Sequence, residues 1–304
     1  MNELKLFKLE NSFMKVDILN LGASVYQISL KSSDNKVYDV LSTPKDLETF
    51  IINDQSYGRT VGRTAGQIFK NEETSNYIEF NNDKVIKHGG EIRVANAYFD
   101  VYEHTETKIV LRHFVKHLSD RYFGDLNIQI TYELRDTELY ILHEAISNRN
   151  SLCRLTFHPY FNLEQSNHLN NHYLKINSNY ILDQNEEGMF TNPVSVESKN
   201  KDFRTEQKLN INDNYNFDDI FVINDQNNAC ELRTDLIKMS IATNYPGLVI
   251  YTQNSNVRTD LNNANKGAKY SSIAIETQLL QNELPILKKD ELYSYYTIYK
   301  FEFI

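Results

Sequence analysis

Three short segments of this 304-residue chain carry side chains suited to moving protons. In Lys87-His88-Gly89-Gly90 an imidazole stands beside two glycines, which let backbone and ligand approach closely. In Phe157-His158-Pro159-Tyr160-Phe161-Asn162-Leu163 a histidine sits among aromatics that could wall a sugar ring. In Ile273-Ala274-Ile275-Glu276-Thr277-Gln278 a carboxylate interrupts an apolar strand. If that strand is central, Glu276 is buried or in a cleft, where its charge requires hydrogen bonds. An imidazolium donates and an ionised carboxylate accepts, so a His and a Glu brought together form an acid–base pair. Each segment alone also has an ordinary explanation. A histidine among aromatics is more often a core residue, a single strand Glu can face solvent at an edge, and His-Gly-Gly is a short motif. His104, His113, His117, His143, His168 and His172 have no comparable context.

The elements that would hold these segments read as strands. Residues 14–18, 25–30 and 126–132 alternate apolar and polar, the signature of a half-buried strand. After Arg135-Asp136-Thr137 comes Leu139-Tyr140-Ile141, and strand, polar turn, strand predicts a hairpin. Residues 237–243, then Asn244-Tyr245-Pro246-Gly247, then 248–252 predict a second hairpin about a type II turn, with Pro presetting φ and Gly accepting a positive φ. The end of the chain, residues 293–304, is another aromatic and β-branched run. Thr43-Pro44-Lys45-Asp46-Leu47-Glu48 offers a capping Thr and a first-turn Pro and predicts one short helix. The Asn- and Asp-rich stretches 184–188, 210–216 and 260–267 read as loops. No linker, repeat or shift in composition divides the chain, so residues 1–304 are expected to form one all-β domain, a large antiparallel β-sandwich.

Composition narrows the partners. There are 20 Tyr and 16 Phe but no Trp, and Tyr and Phe suit pleated, half-buried surfaces. A net charge of −9 disfavours nucleic acid, whose phosphates call for clustered Lys and Arg, and gives no reason to expect an acidic membrane surface. Cys153 and Cys230 are too few for a disulfide framework. The first residues, MNELKLFKLENS, lack the apolar stretch of a signal peptide, and no segment has the roughly 20 apolar residues of a membrane span. A cytoplasmic protein is the expectation.

Taken in order, the motifs resemble the aldose 1-epimerase (galactose mutarotase) family along nearly the whole chain. The resemblance runs through Asn20-Leu21-Gly22-Ala23, the Gly-Arg segment from Gly58-Arg59 to Gly62-Arg63, His88-Gly89-Gly90 and His158-Pro159-Tyr160-Phe161-Asn162-Leu163. It continues through Phe217-Asp218-Asp219, the Pro246-Gly247 turn with Tyr251-Thr252, and Glu276-Thr277-Gln278. Departures lie at Gln67, where the family commonly has a second Arg, at Phe157 before the histidine, and at 279–285 after Glu-Thr-Gln.

The resemblance implies a galactose mutarotase-like supersandwich that interconverts the α and β anomers of a free aldohexose, with a small-molecule sugar as partner. It implies Glu276 as general base at the C1 hydroxyl and His158 as general acid at the ring oxygen. His88, Arg63 and Asp218 are implied as substrate-binding residues. Mutarotation moves only protons, so neither metal nor cofactor is expected. Three alternatives remain at this point. A hexose-6-phosphate 1-epimerase would need added cations. A non-catalytic sugar-binding protein would need neither donor nor acceptor, and a cupin-like enzyme would use His88, His158 and Glu276 as metal ligands. A polysaccharide lyase would require basic residues along a cleft, which the chain lacks.

Overall fold

The computed structural model describes residues 3–52 and 55–304. Among these, the strands form sheets of four, nine and six strands and three two-stranded ribbons, all paired antiparallel. The nine-stranded sheet is centred on Leu292–Phe303, flanked by Ile237–Thr243 and Glu138–Ser147. The predicted hairpin is present: Leu126–Arg135 pairs with Glu138–Ser147 over ten residue pairs. Burial alternates along Ile237–Thr243, with every second side chain buried, so the period-two pattern marks the face turned to the core.

The six-stranded sheet comprises β1 (Tyr160–Phe161), β2 (Tyr180–Gln184), β3 (Phe190–Ser195), β4 (Asp218–Val222), β5 (Gly247–Tyr251) and β6 (Ile273–Gln278). Their spatial order is β1-β6-β5-β4-β2-β3. β6 is buried along its whole length. Ile273 and Ile275 of β6 and Leu248 and Ile250 of β5 join the large core shared with the nine-stranded sheet. The Tyr299 hydroxyl donates to the Ile275 carbonyl at 3.2 Å across that core. The alternate residues of β6, Ala274, Glu276 and Gln278, face the other way, where a cavity opens. A strand buried on both faces thus presents a carboxylate to a cleft.

Two local expectations are corrected. Ile237–Thr243 and β5 do not pair as a hairpin; they belong to different sheets, and residues 244–246 carry the chain from one to the other. Gly247 has no positive φ. A Cβ there would lie 2.9 Å from both the Gln278 carbonyl oxygen and a Leu280 methyl, so close packing of β5 on β6 excludes a side chain. The short helix exists but spans Leu47–Ile51 and is capped by Asp46, whose carboxylate accepts from the Thr49 amide at 2.7 Å. Thr43 instead donates its hydroxyl to the Tyr26 carbonyl, and Pro44 bridges to Leu261. Asp46 wins because its side chain reaches the free amides of the first turn while Thr43 is occupied elsewhere. Among the described residues no helix is long and apolar enough to cross a membrane.

Candidate functional site

A cavity of about 300 Å³ opens on the outer face of the six-stranded sheet. The volume is at the lower end of the range for small-molecule sites. Its floor is the sheet itself. Glu276 on β6 stands opposite Val249 on β5, and Val249 opposite Ile220 on β4, forming one cross-strand row. Tyr251 and Asp218 form the neighbouring row.

His158 ends the strand Thr156–His158, which pairs with Arg59–Val61 so that His158 faces Arg59. Its Nε2 lies 3.3 Å from Oε1 of Glu276. Both side chains are nearly enclosed, His158 at 7% and Glu276 at 4% exposure. Nδ1 of His158 is buried and has no hydrogen-bond partner among the described residues. Glu276 is therefore the group that controls the ring's proton. The ring also packs against Tyr160, with centroids 5.1 Å apart.

His88 follows the strand Val85–Lys87, adopts a positive φ of 49°, and presents its ring edgewise to His158 at 5.9 Å. The Gly66 amide donates to His88 Nδ1 at 3.3 Å, so the neutral ring carries its proton on Nε2. His88 is thereby fixed as a hydrogen-bond donor. The next residue, Gly89, passes directly under Gly62: a Cβ would lie 2.0 Å from the Gly62 carbonyl oxygen. His-Gly-Gly here accommodates backbone against backbone rather than backbone against ligand.

Burial separates the charge states of the pair. Enclosure, then the field of Asp218, pushes the Glu276 carboxyl up to about 8. Enclosure, then neighbouring His88, pulls His158 down to about 3, and burial likewise pulls His88 to about 4. The expectation of a His158 imidazolium near neutrality is thus revised. In the unliganded protein near neutral pH the pair holds one proton, resting on Glu276. Asp218, solvent-exposed at the cavity mouth, is held above the usual Asp range by the protein packed around it and by Asp219, with Lys87 opposing.

His88, His158, Asp218 and Glu276 all line this cavity; Arg63 does not. Its guanidinium is fully buried and forms a two-pronged ion pair with Asp120 at 3.0 and 3.1 Å. It also donates to the Gly124 carbonyl and the Ser151 hydroxyl, each at 3.0 Å. The remaining wall near the pair is made of amides that the sequence did not single out as a group. Gln67, Gln278 and Gln281 line it, with the Gln67 backbone N–H donating to Gln281 Oε1 at 3.2 Å. Buried Arg154 braces this wall from behind, donating to the carbonyls of Ala65, Gln67 and Leu280. The interrupted Gly-Arg pattern at Gln67 was the available signal. Among the described residues no group of three His, Cys, Asp or Glu is disposed to hold a metal ion.

The family model described as Aldose 1-epimerase matches residues 5–300. An aldose 1-epimerase of Streptococcus thermophilus is 26% identical over 89% of this chain and 84% of its own length. A maltose epimerase of Levilactobacillus brevis is 25% identical with the same coverage. The crystal structure of a galactose 1-epimerase from Lactobacillus acidophilus superposes with a TM-score of 0.85 at 26% identity, covering 99% of this chain and 95% of that one. A GalM/aldose epimerase homologue from C. elegans superposes at 0.88 with 20% identity, covering 99% of this chain and all of that one. The nearly all-β architecture of large antiparallel sheets is the galactose mutarotase-like fold.

Proposed function

The chain belongs to the aldose 1-epimerase family, and from that premise we propose that it catalyses mutarotation of a free aldohexose, glucose or galactose. The observation that carries this reading is the enclosed His158–Glu276 pair, 3.3 Å apart and open to a cavity. The C1 hydroxyl gives its proton to the Glu276 carboxylate while His158 Nε2–H protonates the ring oxygen. The C1–O5 bond breaks to leave the open-chain aldehyde. Rotation about C1–C2 presents the other carbonyl face. Closure reverses both transfers: His158 recovers the proton from the C5 hydroxyl and Glu276 returns one to the carbonyl oxygen. The pair holds one proton at every stage, so the same residues serve both directions. A sugar whose C1 hydroxyl donates to the carboxylate favours its ionised form and moves the resting proton to His158. Donation from His88 Nε2–H and the acceptor Asp218 orient the ring. The direct test is polarimetry: fresh α-glucose and α-galactose should lose excess rotation faster with the protein than without.

The pH profile should reflect the pair rather than either residue alone. Mutarotation requires exactly one proton on the two groups. Activity should fall as pH rises through about 8, when that proton leaves, and fall again only in strong acid, towards about 3, when a second one binds. An alkaline limb near 6.5, the ordinary histidine value, would contradict this assignment.

Charge argues for an unphosphorylated sugar. The His158–Glu276 pair, sharing one proton, is neutral overall, and the Asp218 carboxylate offsets the Lys87 ammonium in the cavity lining. A phosphate therefore meets no net positive charge and no cluster of cations to hold it. Hence kcat/KM for glucose should exceed that for glucose 6-phosphate by about tenfold or more. The reverse preference would make Lys87 a phosphate ligand and favour the hexose-6-phosphate alternative.

A further inference from the structure

Glutamine is among the side chains with the most rotamer freedom to lose. Gln281, in the turn that follows β6 and lining the cavity, is nonetheless fixed on three sides. Its carboxamide lies face-on over Gly66: a Cβ there would come within 2.1, 2.2 and 2.2 Å of Cδ, Nε2 and Oε1. The Gln67 backbone N–H donates to Oε1 at 3.2 Å. A backbone N–H can meet only the oxygen of an amide, so this bond also decides which way the carboxamide points. Nε2 takes the other end, 3.4 Å from Oε1 of Gln278, the next residue after Glu276 on the cavity face of β6.

The supports behind this clamp are buried. Arg154, fully enclosed, donates to the carbonyls of Ala65 and Gln67, on either side of Gly66, at 2.9 and 3.2 Å. It also donates to the Leu280 carbonyl, immediately before Gln281, at 3.0 Å. One guanidinium therefore ties together both chain segments that make the clamp. Gly66 serves His88 as well, accepting its backbone N–H at 2.8 Å besides donating to Nδ1. The positive φ of Gly66, +72°, and its missing Cβ permit both contacts. Gln281 and His88 are thus positioned by the same residue.

Nε2 carries two N–H groups and meets one long contact, to Gln278. The other N–H has no partner among the described residues, and Gln281 is only half-buried. A donor whose rotamer is already fixed can bind a ligand group without the usual ordering cost. We infer that Gln281 is a specificity-determining residue of the sugar site, donating from Nε2 to a sugar hydroxyl other than the one on C1. The Gly66 platform and the Gln67 N–H hold it in place for that bond. This inference rests on the mutarotation reading.

The experiment measures kcat and KM for glucose and its 2-, 3-, 4- and 6-deoxy analogues with the wild type and Gln281→Met. Methionine keeps an unbranched stem over Gly66 but has no N–H. Thermal melting checks folding, and Gln281→Ala serves should Gln281→Met fail to fold. Wild type should lose about fivefold or more in kcat/KM on the analogue lacking the hydroxyl that Gln281 meets. Gln281→Met should lose a similar factor on glucose, mainly through KM, and nothing further on that analogue. On the other analogues the variant should fall as it does on glucose. A side chain that merely shapes the wall would give equal losses on every sugar tested. That result, or wild-type kinetics of Gln281→Met on glucose, would overturn the role of Gln281 while leaving mutarotation standing. Failure of the wild type to accelerate any of these sugars would remove both.

Discussion

Replacing Glu276 by Gln is expected to lower the mutarotation rate by about two to four orders of magnitude. The amide keeps the shape of the side chain and a carbonyl acceptor but has no basic oxygen for the C1 proton. His158→Asn should lose a comparable factor, since the ring oxygen loses its donor. The two groups share one proton at 3.3 Å, so the double variant should be little worse than either single one. Near-normal turnover by folded Glu276→Gln would sink the mechanism whatever the fold.

The same substitution should stabilise the protein, which separates loss of chemistry from loss of structure. The folded carboxyl, held up at about 8, binds its proton more tightly than the unfolded one at 4.5. Wild-type stability should therefore fall as pH rises from about 4.5 to about 8. Glu276→Gln removes that dependence. Its melting temperature should match wild type at acid pH and exceed it at pH 8, by an amount corresponding to roughly a few kcal/mol. His158 contributes in the opposite sense: its depressed value destabilises the fold as pH falls from 6.5 towards about 3. An enclosed pair of this kind destabilises the fold for the sake of activity.

Much of this arrangement is legible in the sequence because short motifs fix local geometry. His88, His158, Asp218 and Glu276 stand in segments whose order resembles one family, and all four reach the same cavity. Alternation identified core-facing residues in 126–132, where Leu126, Ile128, Ile130 and Tyr132 are buried although Thr131 is buried as well, and the strand at 237–243 buries every second side chain. Properties set by partners distant in the chain were not legible. Turn chemistry at 244–247 is the same whether the following strand folds back or crosses to another sheet, and the sheet is chosen by pairing of β5 with residues 273–278. The values of His158 and Glu276 depend on enclosure, which no motif encodes. Phe190 joins the cavity only because β2, β3 and β4 are neighbours.

Arg63 shows the same limit most sharply, and its replacement should unfold rather than merely weaken the protein. The family resemblance implied a ligand for sugar hydroxyls; the guanidinium sits at 0% exposure against Asp120, itself 6% exposed and 57 residues away. Burial raises the Asp120 carboxyl, and Arg63, more than the backbone N–H of Tyr122, opposes the rise. Arg63→Ala would leave that carboxylate buried without its cation and the Gly124 carbonyl and Ser151 hydroxyl without their donor. Breaking one side of a buried pair in this way destabilises by about 3–5 kcal/mol. That is a large share of the roughly 5–15 kcal/mol holding a typical domain together. Denaturant unfolding should show the loss directly, while KM for glucose, measured on whatever fraction remains folded, should stay close to wild type. Asp120→Asn should be milder, because the amide still accepts one hydrogen bond and removes the stranded negative charge. An Arg63→Ala protein of wild-type stability with a strongly raised KM would return Arg63 to the sugar site and refute the structural role.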